Sequence, residues 1–165
     1  MMIGFDQIPE MMEQLPKGAF LTVGQGAEAN PMTIGWALSG IIWGKPVMMV
    51  AVRYSRHTYD ILDKLDNFTV SVPKLGQLQK ELNFCGTKSG RDFNKFTETE
   101  LTAQEAKAVP GVVVQEAAHH YECKVVYRQS MDPANLDAEL KKRYYDSNHD
   151  YHVFFIGEIL SEYEG

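Results

Sequence analysis

Strand patterns recur along this chain without a helical pattern after each of them, and that ordering restricts the fold more than any single motif does. AFLTVG (19–24) is strand-like and leads into a turn region from Gly26 to Asn30. VMMVAVRY (47–54) is a continuous apolar run, the pattern of a strand buried on both faces. NFTVSVP (67–73) alternates Phe68, Val70 and Val72 against Thr69 and Ser71 and stops at Pro73. HYECKVVYRQS (120–130) sets Tyr121, Cys123, Val125 and Tyr127 against more polar neighbours. HVFFIGEIL (152–160) carries Gly157 as a bulge or a point of close approach. A doubly wound sheet needs a crossover helix after nearly every strand, so the order favours a mainly β domain, a small β-barrel with peripheral helices.

Helical spacing predicts three longer helices. Residues 55–65 place Ile61, Leu62 and Leu65 on one face, with Ser55 as N-cap, and residues 74–84 place Leu75, Leu78 and Leu82 together. Over 132–148, Asp132 suits an N-cap, Pro133 the first turn, and Asp137/Lys141 and Glu139/Arg143 form supportive pairs. A short helix is expected at 102–108 from the capping pair Thr102 and Glu105, ending before Pro110.

At 165 residues with 44% hydrophobic content, the chain is expected to form one domain over 1–165, without repeats or linkers. A net charge of −6 argues against wide contact with nucleic acid or anionic lipid, while leaving room for a local basic site for a small phosphate. The start, MMIGFDQIPEMM, has no basic flank followed by a long apolar core, and no run approaches the roughly 20 apolar residues of a membrane span. Cys85 and Cys123 make no disulfide framework. The expectation is a reduced, cytoplasmic protein, with the methionines of the start (Met1, Met2, Met11, Met12) serving packing or a mobile end.

Three stretches carry candidate chemistry. In VAVRYSRHT (50–58) a buried strand ends at Arg53 and opens a helix whose first turn holds Arg56, His57 and Thr58. Cations at a helix N-terminus oppose its dipole, which makes sense if an anion sits among them; a solvated cap paired with Asp60 fits equally well. FCGTKSGRDFNKF (84–96) combines glycines, hydroxyls, Lys88, Arg91 and Lys95 without the spacing of a GxxxxGK[ST] loop; taken alone, an ordinary polar loop is the better reading. The long, weakly structured segment 86–117 around it favours a lid or binding element. NPMTIGWALS (30–39), as a strand, sends Met32, Ile34, Trp36 and Leu38 to one side. Thr33, Gly35, Ala37 and Ser39 form a small face that suits a flat ring or a packed neighbour, and a bulge at Gly35 would shift the parity. HDYH (149–152) and His119-His120 point their histidines apart in a strand, and a Cys85–His152 nucleophile pair lacks any flanking motif.

Together these pieces resemble the flavin reductase-like family of FMN-binding split β-barrels, with the flavoredoxin-type branch nearest. The matching segments are NPMTIGW (30–36), GKPVMMVAVRYSRHTYDIL (44–62), FTVSVP (68–73), CGTKSGRDFNKF (85–96) and, more loosely, HVFFIGEI (152–159), in the family's order. Tyr54 stands where that family often has proline, and His57 where an aromatic is common. The resemblance implies a split β-barrel of Greek-key type, a homodimer with FMN held without a covalent bond near the subunit interface. It implies Asn30, Met32, Thr33, Trp36 and Ser39 along the isoalloxazine ring. It implies Arg53, Ser55, Arg56 and Thr58 near the ribityl phosphate, with Gly86, Ser89, Gly90, Asp92 and Lys95 in a loop closing over the cofactor. No catalytic acid or base and no metal is implied. The activity implied is NAD(P)H-dependent flavin reduction, by hydride transfer from a stacked nicotinamide to flavin N5, with backbone donors and Lys95 steadying the reduced ring. Two alternatives stay open: a flavoredoxin-like carrier exchanging electrons with protein partners, and a protein that binds flavin without redox turnover.

Overall fold

The structure is a computed structural model that describes residues 5–165, so Met1 and Met2 of the methionine-rich start lie outside the described residues. Its elements are α1 (Ile8–Gln14), β1 (Ala19–Val23), β2 (Asn30–Ile34), β3 (Ala37–Ile42), β4 (Lys45–Arg53), α2 (His57–Leu62) and β5 (Asn67–Val72). They continue with α3 (Gln79–Thr87), α4 (Lys95–Glu98), β6 (Ala103–Glu105), β7 (Val112–Val114), β8 (His119–Ser130), α5 (Ala138–Tyr145) and β9 (His152–Glu164). Seven strands form one sheet in the order β2-β1-β5-β8-β9-β4-β3, every pair antiparallel, and β6 and β7 form a separate hairpin. This is the mainly β, split-barrel class with peripheral helices that the strand pattern favours.

The inner face of the sheet carries the main core, in which Leu21, Met48, Val50, Phe68, Tyr121, Phe155 and Ile159 pack with Met11 and Leu62 from α1 and α2. A second cluster, Phe20, Leu82, Cys85, Leu101 and Val114, lies on the other side of β1 beneath α3 and β7. Strands β1 and β5 are therefore buried on both faces. The polar side of β5 stays satisfied because Thr69 donates to the Val112 carbonyl at 2.6 Å and the Ser71 hydroxyl accepts from the Val114 amide at 3.0 Å. Glu122, fully buried, accepts from the Lys107 and Ala108 amides and from the Tyr163 hydroxyl, tying the connecting loop to the sheet. A fully buried leucine or phenylalanine contributes about 1.5–3 kcal/mol, an exposed ion pair about 0–1, so the two clusters and not the surface pairs hold the fold.

Several sequence expectations give way to tertiary context. NPMTIGWALS is not one strand: β2 ends at Ile34 and β3 starts at Ala37, with the break at Gly35-Trp36. Met32 and Ile34 stay buried, but Trp36 and Leu38 are exposed and Ala37 turns inward, so the parity shifts as a break at Gly35 allows. The segment 102–108 is not a helix; Ala103–Glu105 pairs with β7, and the Thr102 amide donates to Glu116 instead of closing a capping box. Helix α3 starts at Gln79 because Gly76 and Leu78 both adopt positive φ, and Leu75 is left exposed. Asp132 caps only a short 3-10 turn, while Asp137 caps α5 with its carboxylate rather than pairing with Lys141. Trp43 and Gly44, both at positive φ, form the two-residue turn of the β3–β4 hairpin. Among the described residues no helix is long and apolar enough to cross a membrane.

Candidate functional site

Strand β4 ends at Arg53, and the chain turns through Tyr54 and Ser55 into α2, directly beside the start of β2 and the segment following α3. Two cavities open along this seam. The first, about 180 Å³, is lined by Met32, Thr33, Ile34, Gly35 and Trp36 of the β2–β3 break, Ala51, Arg53 and Arg56, and His152 of β9. The second, about 150 Å³, is lined by Asn30, Met32, Ser55, Arg56, His57 and Thr58 on one side and by Thr87, Lys88, Ser89, Gly90, Arg91 and Lys95 on the other. Met32 and Arg56 line both, so the two adjoin as halves of one recess. The first holds Trp36 and aliphatic side chains beside Arg53 and His152, and the second is basic and hydroxyl-rich.

In the first half, Trp36 packs against the Tyr144 ring edge-on at 5.1 Å and against His152 at 4.8 Å. His152 meets the Tyr145 hydroxyl at 2.6 Å through Nδ1. Burial, reinforced by the Arg53 guanidinium, pushes its imidazole down to about 4, so His152 is neutral at physiological pH. Arg53 donates to the carbonyls of Asp150 and Tyr144 at 2.9 and 3.2 Å and lies over the Tyr145 ring. Its guanidinium thus fixes the 144–150 segment beside the recess. Thr33 lines the same half and donates to the Leu82 carbonyl at 2.6 Å.

The basic half gathers cationic and hydroxyl donors, several of them already paired within the protein. Arg56 is the N-cap of α2 and makes no side-chain capping bond, and His57 and Thr58 of the first turn line the cavity with it. Thr58, buried, accepts from Asn30 Nδ2 at 2.9 Å, and Gly90 lies so close that a Cβ there would sit 2.1 Å from Asn30 Oδ1. Only glycine allows that approach. The buried Nδ1 of His57 has no hydrogen-bond partner; its nearest carboxylate, Asp60, stands 3.7 Å away. Lys95 is 3% exposed and donates to the carbonyls of Pro31 and Cys85 at 3.0 and 2.9 Å. Burial pushes its ammonium down to about 8, and its third proton is left for the cavity. This donor set, together with the glycine cradle, fits a phosphate monoester, and the adjoining half fits a flat ring.

The structure brings together most of the residues expected at the site. Asn30, Met32, Thr33, Trp36, Arg53, Ser55, Arg56, Thr58, Ser89, Gly90 and Lys95 all line the recess. Three do not. Ser39 donates to the Val47 carbonyl across the β3–β4 hairpin, because the break at Gly35-Trp36 carries β3 away. Asp92 faces an adjoining surface cavity with Glu28, His57 and Phe93, and Gly86 offers its carbonyl to Arg56 from behind the wall. Ser55 is not the helix cap; its amide and hydroxyl donate to Asp150 at 3.2 and 2.5 Å. The Cys85–His152 pairing fails, since Cys85 is packed in the second core cluster and burial pushes its thiol up to about 11. Sequence reasoning gave Ala51 no role, weighed His152 only as a metal ligand or a partner of Cys85, and read Lys88 and Arg91 only as loop charge.

A family model described as flavin reductase like domain matches residues 12–164. An uncharacterized protein of Archaeoglobus fulgidus is 28% identical over 155 residues, 93% of this chain and 76% of that one. The crystal structure of a flavoredoxin from Methanosarcina acetivorans is 24% identical with a TM-score of 0.67, covering 90% of this chain and 68% of the other. An NADH:FAD oxidoreductase of Streptomyces globisporus is 20% identical with a TM-score of 0.66, covering 90% and 74%.

Proposed function

Because the chain belongs to the flavin reductase-like family, we propose that it holds FMN in the two-part recess and acts as an NAD(P)H-dependent flavin oxidoreductase. The observation that carries this reading is that the two halves adjoin and share Met32 and Arg56, which suits a ligand with a ring at one end and a phosphate at the other. Met32, Thr33, Trp36 and the neutral His152 would wall the ring; Arg56, Thr58, Ser89, the Gly90 cradle and the third Lys95 proton would hold the phosphate. Lys95, expected beside the ring, here serves the phosphate end. FMN would supply the redox chemistry, with a nicotinamide as the reductant. The protein positions, desolvates and neutralises: a phosphate carrying close to two negative charges suits a helix start flanked by guanidinium and ammonium groups.

The functional unit in this proposal is a homodimer with the site near its interface. Its support is an apolar surface on edge strand β3 and its hairpin, where Leu38, Ile41 and Trp43 are 59, 58 and 61% exposed immediately after Trp36. Ile41→Asp is expected to shift the protein towards monomer in sedimentation velocity and to weaken FMN binding; an unchanged species would remove the dimer from the account.

The likeness to a flavoredoxin supports a second reading, a carrier that passes electrons to protein partners from the same site. Anaerobic stopped-flow mixing of FMN-loaded protein with NADH and with NADPH separates them. Rapid loss of flavin absorbance is the outcome expected of the reductase. Absorbance unchanged with both nucleotides removes the reductase, leaving the carrier and a protein that binds flavin without turnover.

A further inference from the structure

The two walls of the phosphate half come from separate parts of the chain, and three basic side chains tie them together at different depths. Innermost is Lys95, which joins Pro31 of β2 to Cys85 of α3. Next, Arg56 Nη1 donates to the Gly86 carbonyl at 3.2 Å. Outermost, Arg91 reaches back from the 88–94 loop, Nη1 donating to the Ser55 carbonyl at 3.0 Å and Nη2 to the Asp60 carboxylate at 2.6 Å. Between these ties the Gly90 backbone is pressed against Asn30 and His57, whose side-chain atoms would lie 2.1 and 2.8 Å from any added Cβ. The Lys95 tie is buried, whereas the Arg56–Gly86 bond is exposed and the Arg91 and Asp60 side chains are 46 and 45% exposed, so solvent reaches the two outer ties without disturbing the core.

We propose that the Arg91 clasp on Ser55 and Asp60 closes the outer end of the phosphate half, setting how fast a flavin monophosphate leaves and discriminating against a flavin whose phosphate is extended by a nucleotide. This rests on the flavin reading of the recess. A monophosphate ends among the donors of the cavity and needs no exit beyond them. A diphosphate must continue outward between the start of α2 and the 89–91 turn, the gap that the guanidinium spans. Arginine is suited to the task because its planar fork reaches two acceptors at fixed geometry, which a lysine point charge does not. An exposed pair contributes little to global stability, so the clasp opens without unfolding the loop's buried anchor.

The experiment compares wild type with Arg91→Ala, Arg91→Lys, Asp60→Ala and the double Ala variant. FMN release is followed by stopped-flow dilution and recovery of free-flavin fluorescence, and FMN and FAD dissociation constants by titration. From the modest strength of an exposed pair, the clasp predicts that each single variant releases FMN about fivefold faster, the double variant no faster than either alone. The preference for FMN over FAD should fall by a similar factor. Unchanged release in Arg91→Ala, or effects of the two substitutions that multiply, overturns the clasp while leaving the flavin site standing. Wild-type protein that takes up neither flavin overturns the reading of the site, and the clasp with it.

Discussion

The amide and hydroxyl of Ser55 both donate to Asp150, 95 positions away in the chain. Local sequence marks Ser55 as a helix cap and the family resemblance implies a place near a phosphate, but nothing local says that a carboxylate from the β9 approach would take up its donors. Asp150 thus presents a fixed negative charge beside the phosphate half. Asp150→Asn removes that charge and is expected to tighten FMN about three- to tenfold, from the size of a screened charge–charge contact, with riboflavin unchanged. Calorimetric titration with both ligands checks it, and equal effects on the two would place Asp150 away from the phosphate. Arg56 and Thr58 were legible as a basic, hydroxyl-bearing helix start, while Asn30 and Gly90 followed from the family resemblance. Ala51 was not, because a continuous apolar run conceals which of its residues face a cavity, and His152 drew notice only as a metal ligand or a partner of Cys85.

Among the elements, the strands were legible where both flanks carry turn chemistry, and the helices were misjudged wherever a partner strand or a positive φ intervened. Periodicity alone cannot see that Ala103–Glu105 has β7 beside it, or that Leu78 at φ 54 postpones α3. Gly157 was identified correctly as a point of close approach. It sits on β9 opposite Val125, next to the register shift of β8, and a Cβ there would lie 2.7 Å from Cys123 Cβ and 2.8 Å from the Phe68 ring. Those neighbours are core atoms with no room to withdraw. Gly157→Ala is therefore expected to cost about 1–3 kcal/mol by overpacking, read as a lower urea midpoint with an unchanged slope. An unshifted midpoint would mean that β8 and β9 separate more readily than their packing indicates.

At the scale of the whole molecule, two histidines couple the fold to pH. Burial pushes His120 down to about 4, helped by Lys107, and His152 to the same range, helped by Arg53. The unfolded chain takes up these protons near pH 6.5, while the folded chain stays neutral until about pH 4. Stability present at neutral pH is therefore lost progressively as pH falls through that window. Urea unfolding at stepped pH should show it, and His120→Gln should flatten the dependence between pH 6.5 and 5; an equally steep profile in the variant would assign the protons elsewhere. The mainly β class followed from strand order, whereas the break between β2 and β3 did not, because NPMTIGWALS has the pattern of a single strand. The two-part recess required three distant segments to meet at Met32 and Arg56. Its test is a fluorescence titration of wild type and Arg56→Ala with FMN and with riboflavin, in parallel. The account predicts that wild type binds FMN more tightly than riboflavin and that Arg56→Ala weakens FMN about tenfold or more, as loss of a charge-assisted phosphate contact would, while riboflavin changes little. Equal affinity for the two ligands in wild type, or equal loss in the variant, would contradict it.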